Sequence, residues 1–251
     1  MKQNHAMKNI TADTTVGAIV RAFPARSRIF ENLGIEYCCG GKQTLAQACQ
    51  KRGLDTSTVV TMLAALDGAP EARLADPDSL SLSELCDHIE QAHHGYLRQE
   101  LPRLDFMTHK VAAVHGDSEP RLLELRRAFE TFSAKVVSHT EEENESVFPE
   151  IRALEAAGGE KHDKVSELGR KFEKLETEHE KTGAALAEFK RLTDGYAPPD
   201  WACNTMRALY DALAHLEKDM HQHVHEENNV LFPKVLAMAR AGDVKPAAVT
   251  T

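Results

Sequence analysis

No stretch of this chain approaches the ~18 consecutive apolar residues of a membrane-spanning helix. The segment Met1 to Thr15 lacks the apolar core of a secretory signal. A membrane partner is therefore not expected, and the expected location is cytoplasmic. Basic excess is missing too: the 251 residues carry 30 Lys and Arg against 39 Asp and Glu, a formal net charge of -9. Surfaces that hold phosphate backbones depend on clustered cations, so nucleic acid is not an expected partner either. Strand signals are absent. Cysteine is sparse and odd in number, at Cys38, Cys39, Cys49, Cys86 and Cys203, which suits reduced thiols better than a disulfide framework.

Histidine, by contrast, is plentiful, with 13 residues, and imidazole is the commonest metal-binding side chain. Its meaning depends on where each residue falls in the helical pattern. Behind an N-terminal extension over 1–13, residues 14–67 read as short helices: Pro24 suits a first helical turn, Gly34 and Gly53 suit helix ends, and Gly40-Gly41 suits a turn. Gly-Ala-Pro and Asp-Pro-Asp then mark a linker over 68–80. From 81 to 241 come long stretches with apolar residues every third or fourth position, the first opened by the capping box Ser81-Leu82-Ser83-Glu84 and interrupted by Pro102, where a bend is expected. Connectors at Gly116 to Pro120, Gly158 to Glu160 and Asp194 to Asp200 separate them. The expected fold is all-α, an up-down-up-down four-helix bundle beside a small helical domain, ending in a tail over 242–251.

The apolar stripe of the second long helix, Leu125, Phe129, Phe132 and Val136, continues into His139 and Glu143. That of the fourth, Met206, Leu209, Leu213, Leu216 and Met220, continues into His223 and Glu227. A carboxylate on a buried face is costly unless it is paired or binds a metal. The runs around these pairs repeat: His139-Thr-Glu-Glu-Glu143-Asn and Phe148-Pro149 align with His223-Val-His-Glu-Glu227-Asn and Phe232-Pro233 at an offset of 84 residues. His94 and His179, on the stripes of the first and third helices, lie 85 apart. His93 fits the first stripe nearly as well as His94.

Taken singly, a stripe histidine is usually a satisfied core residue. Taken together, four imidazoles and two carboxylates in mirrored halves exceed one tetrahedral zinc site and suit two metal ions sharing two glutamates. Iron is the leading metal, as two non-haem ions per chain bridged by oxide or hydroxide. Neither a ferritin-like Glu-x-x-His pattern nor a His-Glu-x-x-His protease motif occurs. His5, His88, His109, His115, His162, His215, His221 and His225 are expected to be solvated or supporting, and Glu141, Glu142, Glu145 and Glu226 to form an exposed acidic face.

Cys38 and Cys39 are adjacent, too close for an unstrained bridge. In Tyr37-Cys38-Cys39-Gly40-Gly41-Lys42 a nearby cation favours reactive or metal-capturing thiolates, with two ordinary packed thiols as the plain alternative. Cys49, Cys86 and Cys203 read as structural.

These residues resemble the repair of iron centres proteins, also called iron-sulfur cluster repair di-iron proteins, over nearly the whole chain. The likeness rests on Thr15-Val16-Gly17, Phe30-Glu31-Asn32-Leu33-Gly34-Ile35 and Tyr37-Cys38-Cys39-Gly40-Gly41, and on the two His-x-x-x-Glu runs with their Phe-Pro tails. It implies a hemerythrin-like bundle. It also selects His94 over His93, because the family's ligand lies eight residues before a Leu-Pro proline, here Pro102, and it places His179 in the family's Glu-x-Glu-His run, Glu176 to His179. His115 matches a recurrent histidine outside the six, and Leu97 departs from members with a further histidine. The implied metal set is His94, His139, Glu143, His179, His223 and Glu227.

The implied function is repair of clusters damaged by nitric oxide or peroxide by supplying iron, with damaged iron-sulfur proteins as recipients and Cys38 and Cys39 as relay or redox thiols. A conventional turnover enzyme is not implied. The alternatives are a protein that binds, sequesters or senses nitric oxide or dioxygen, and a nitric oxide or peroxide reductase; all use the same ligands. Monomer and homodimer are both compatible with the sequence.

Overall fold

The computed structural model describes residues 10–68, 79–158 and 162–242. Most of the expected 1–13 extension and 68–80 linker, and nearly all of the 242–251 tail, lie outside the described residues, as do Gly159 and Glu160 of the second connector.

Among the described residues there is no strand, only one isolated bridge between Thr15 and Thr44. The N-terminal segment is built from α1 (Val16–Ala22), α2 (Ser27–Leu33), α3 (Leu45–Arg52) and α4 (Thr56–Ala64). Each start has a local cause except that of α2. Thr15 and Asp55 accept backbone N–H groups at the heads of α1 and α4, and Thr44 with Gln47 forms a capping box on α3. Pro24 opens a short 3-10 turn ahead of α2, while Gly34 and Gly53 close α2 and α3 at φ 65° and 66°, in the left-handed region. Val16, Ile19, Phe30, Leu45 and Leu63, all fully buried, form this segment's own apolar cluster.

Four rods follow. The first is α5 (Leu82–Ile89) running into α6 (Gly95–His115); the second, α7 (Arg121–Glu142) into α8 (Phe148–Ala156); the third, α9 (His162–Leu192), is unbroken; the fourth is α10 (Asn204–Glu226) into α11 (Phe232–Gly242). The Ser81 and Glu84 capping box forms, and Glu155 accepts the N–H groups of Leu82 and Ser83 at 2.8 and 2.9 Å, tying the first rod to the end of α8. The last connector turns through left-handed Asp194, Gly195 and Tyr196.

Each junction inside the first, second and fourth rods is a single π-helical turn: Glu90–His94, Glu143–Val147 and Glu227–Leu231. A π turn holds one residue more than the α-helix would, and such turns concentrate at functional positions. Two of the three run directly into Phe148-Pro149 and Phe232-Pro233. Proline has no N–H to donate to the fourth residue back and its ring crowds that carbonyl, so a widened turn ahead of it is the unstrained arrangement. The irregularity expected at Pro102 is displaced: α6 continues through it, and the first rod's departure from α geometry lies earlier, at His94.

The bundle core is split in two. One apolar cluster gathers Leu97 to Val111, Leu122 to Val136, Leu186 to Leu192 and Met206 to Val224; the other gathers Leu82 to Ile89, Val147 to Leu154, Val165 to Leu175 and Val230 to Val235. Each rod passes between the clusters, in alternating directions, as an up-down-up-down bundle must. The polar residues of each rod fall in the gap.

The small segment docks through its cysteine turn. Cys38 belongs to the first bundle cluster, Asn229 Nδ2 donates to the Cys38 carbonyl at 2.9 Å, and Lys42 pairs with Glu176 at 2.9 Å. A Cβ on Gly41 would collide with the Asn229 amide. Gly41→Ala is therefore expected to cost about 1–3 kcal/mol, as overpacking does. The check is the urea midpoint: an unchanged value would mean that Asn229 yields without loss.

Candidate metal centre

The layer between the two apolar clusters holds His94, His139, Glu143, His179, His223 and Glu227, the six residues expected from the sequence, brought together in two overlapping groups. His94, Glu143, His223 and Glu227 form one; His139, Glu143, His179 and Glu227 form the other. Both carboxylates belong to both groups. In the first, His94 Nε2 lies 3.1 Å from His223 Nε2 and 3.4 Å from Glu143 Oε2, with His223 Nε2 3.0 Å from Glu227 Oε1. In the second, His179 Nε2 lies 2.9 Å from His139 Nε2 and 3.2 Å from Glu227 Oε2, with His139 Nε2 3.2 Å from Glu143 Oε1. Each glutamate thus offers one oxygen to either side.

Glu143 and Glu227 are fully buried. Both Glu143 oxygens and Glu227 Oε2 have no aligned hydrogen bond despite imidazole nitrogens at 3.2 to 3.4 Å. Ligands about 2.0–2.2 Å from a common metal stand roughly 3 to 3.5 Å from one another. The spacing is that of co-ligands, and carboxylates left this dry require a cation. The residues fit a pair of metal ions.

The electrostatics agree. Burial and the neighbouring Glu227 charge work against ionised Glu143, but His139 and His94 outweigh them and hold its carboxyl below the usual range. Burial likewise opposes ionised Glu227, and His223 and His179 bring it well below that range. Burial opposes charge on His139 and His94 too; Glu143 and Glu227 overcome it, raising His139 to about 10 and His94 upward. For His223 burial wins and the pKa falls.

What orients the rings was not foreseen from the sequence. His94 Nδ1 pairs with Asn144 Oδ1 at 2.8 Å and His179 Nδ1 with Asn228 Oδ1 at 2.9 Å. These asparagines follow the shared glutamates in the two repeats, so the repeated Glu-Asn was the available signal. Each fixes which ring nitrogen faces the centre. His139 Nδ1 donates to Glu178 Oε2 at 2.7 Å, but the mirrored partner is missing. The residue before His94 is His93, which stacks on His223 with ring centroids 5.3 Å apart, and His223 Nδ1 has no hydrogen-bond partner. The two groups therefore differ in their support.

Several expectations are corrected. Glu226 does not join an exposed acidic face: it lies against His88 and against His93, which is buried as its place on the stripe allows. His225 is buried against the Tyr37 carbonyl, and burial lowers it to about 4. Cys203 is exposed, its sulfur 3.4 Å from His115 Nε2, whereas Cys49 and Cys86 are buried as expected. Leu97 is buried on the wall of a cleft of ≈ 410 Å³ that Asn144 also lines. Lys42 is held by Glu176. The bond from Cys39, burial and the Glu36 charge push the Cys38 thiol well up, with Glu36 Oε1 accepting from Cys38 Sγ at 2.6 Å. Cys38 is buried and Cys39 half-buried. Both line a cavity of ≈ 20 Å³ together with Asn228, the residue that holds His179.

Comparison with known proteins agrees with this geometry. Residues 12–67 match the family ScdA_N, described as a domain of unknown function, and residues 85–235 match the hemerythrin HHE cation binding domain. The iron-sulfur cluster repair protein ScdA of Staphylococcus epidermidis is 33% identical over 227 residues, covering 90% of this chain and 99% of that protein. The protein of the same name from Staphylococcus haemolyticus is 32% identical over 225 residues, covering 90% of this chain and 99% of its own length. The iron-sulfur cluster repair protein YtfE of Escherichia coli is 33% identical over 225 residues, covering 90% and 97%. With both family matches in order along one chain, and with clusters of His and Glu able to bind metal between its helices, this chain belongs to the ScdA and YtfE family of iron-sulfur cluster repair proteins.

Proposed function

We propose that His94, Glu143, His223 and Glu227 hold one iron ion and His139, Glu143, His179 and Glu227 a second, and that the chain draws on this store to restore iron-sulfur clusters damaged by nitrosative or oxidative stress. The observation that carries the reading is the sharing of two fully buried glutamates by two four-residue groups. Damaged iron-sulfur proteins are the recipients, in keeping with what the similar proteins are named for. Iron held there supplies the metal that a broken cluster lacks. The protein's own part is to orient the Nε2 atoms of His94, His179 and His139 through Asn144, Asn228 and Glu178, and to shield two carboxylates from water. It must also let the metal go. Protonation of imidazole or carboxylate weakens metal binding, which is one route to release.

In this proposal 14–67 acts as a cysteine module on a bundle spanning 81–241, and Cys38 and Cys39 relay iron or electrons. The cavity they share with Asn228 lies beside the support of His179. No described helix is long and apolar enough to cross a membrane, and action in the cytoplasm belongs to the proposal.

The test is recovery of a damaged cluster enzyme by iron-loaded protein. Cys38→Ala/Cys39→Ala is expected to keep its iron and lose most of the recovery. Equal recovery would remove the cysteines from the mechanism. Stoichiometric binding of nitric oxide with no iron leaving the protein would favour the gas-binding alternative over repair.

A further inference from the structure

The flank of the bundle where α5 faces the end of α10 carries a second cluster of metal-binding side chains, His88, His93 and Glu226. His88 Nε2 lies 3.3 Å and His93 Nε2 3.6 Å from the same oxygen, Glu226 Oε2. In an ordinary ion-pair network these contacts would be aligned hydrogen bonds. Here Glu226 Oε2 and His93 Nε2 are both buried without a hydrogen-bond partner. Their spacing instead approaches the roughly 3 to 3.5 Å between ligands of one metal, as in the paired centre.

The other face of His93 is prepared as well. Its Nδ1 meets Asp219 Oδ1 at 2.9 Å, the carboxylate-to-imidazole backing that fixes the tautomer of a metal-bound histidine and raises its basicity. His93 itself is buried, whereas the His88 side chain is 42% exposed. One side of the cluster is buried and the other opens to solvent.

We propose that His88 Nε2, His93 Nε2 and Glu226 Oε2 form an accessory site for a divalent transition-metal ion, distinct from the paired centre. Two imidazoles and one carboxylate are a borderline donor set, suited to ferrous iron, cobalt or zinc and unsuited to calcium or magnesium. Three protein ligands leave coordination positions open to water, so the ion exchanges readily. His93 stacks on His223 of the paired centre at 5.3 Å, which puts the accessory ion beside the half whose histidine has no partner on Nδ1. This placement makes it a staging post for iron entering or leaving. That role rests on the reading of the bundle as an iron store; the binding of a third ion does not.

The experiment uses the full iron-loaded chain with cobalt(II) as the probe, read by equilibrium dialysis and by anomalous diffraction from soaked crystals. About one extra metal per chain is expected, with its peak between His88, His93 and Glu226. His88→Ala is expected to weaken cobalt binding more than about 100-fold and Asp219→Asn about 10- to 100-fold, the range for loss of a supporting partner. Neither variant should lose its iron. Equal cobalt binding by wild type and His88→Ala, or a peak elsewhere, overturns the site. Loading of chelated protein with ferrous iron tests the role: slower uptake by His88→Ala supports staging, and equal rates overturn it. A chain that holds cobalt on the flank but no iron in the bundle would leave the site standing and dismiss the iron store.

Discussion

Glu227→Ala is expected to empty both metal positions, whereas His94→Ala is expected to empty only one. Glu227 points one oxygen at His223 and the other at His179, at 3.0 and 3.2 Å, so its loss takes a ligand from each group at once. His94 reaches only Glu143 and His223 among the six. Loss of a mere supporting partner costs about 10- to 100-fold in affinity, and loss of a ligand costs more. Iron content on purification should therefore fall from about two per chain to less than roughly a tenth of that in Glu227→Ala, and to about one in His94→Ala. Metal analysis at matched protein concentration reads the ratio, and circular dichroism shows whether the helices survive. Losses of equal size in the two variants would mean that Glu227 does not bridge.

The bundle was legible because its apolar stripes run at helical spacing through 82–104, 125–136, 165–175 and 206–220, and because each stripe passes into a histidine. The six converging residues were legible for a further reason, the duplication that repeats His, Glu-Glu-Asn and Phe-Pro. What escaped the stripe argument was the π turn. Adding one residue at Glu143 and at Glu227 changes the face that follows, so Val147 and Phe148 are both buried, as are Val230, Leu231 and Phe232. A fixed period of three or four cannot anticipate that slip, although Phe-Pro beyond each glutamate carried the cause.

The partners of the neighbouring polar residues pose another difficulty. Glu226 and His93 sit beside strong site residues, and nothing in their spacing says whether a partner waits across the bundle. Asp219 is the decisive neighbour, and only the approach of the first rod to α10 reveals it. The surroundings of Cys38 were hidden for a similar reason. Lys42 is close to Cys38 in the chain, but Glu176, 134 residues away, claims its ammonium group.

Loading the paired centre with metal is expected to expel protons, and the sign of this effect separates loaded from chelated protein. In chelated protein the buried charges of Glu143 and Glu227 are offset by protons on imidazole: burial opposes them, yet the carboxylates raise His139 from 6.5 to about 10 and move His94 in the same direction. A histidine raised on folding stabilises the fold fully below its unfolded value of 6.5, and that contribution is lost as pH climbs through the folded value, about 10 for His139. Chelated protein should therefore lose stability between those limits. Metal needs the same imidazoles deprotonated, so its apparent affinity should rise across the same interval. With His139 raised to about 10 and His94 raised as well, loading near neutral pH should release at least about one proton per chain. At the acid end the order reverses. Glu143 and Glu227, both lowered, contribute stability above 4.5 that disappears as pH falls through their folded values, and metal leaves with it. Titration calorimetry in buffers of different ionisation enthalpy counts the protons, and melting curves of loaded and chelated protein at pH 6.5 and 9 read the divergence. A gap in melting temperature that narrows with rising pH, or loading with no proton release, would show that the carboxylates keep no imidazole protonated and that the metal enters a centre neutralised in some other way.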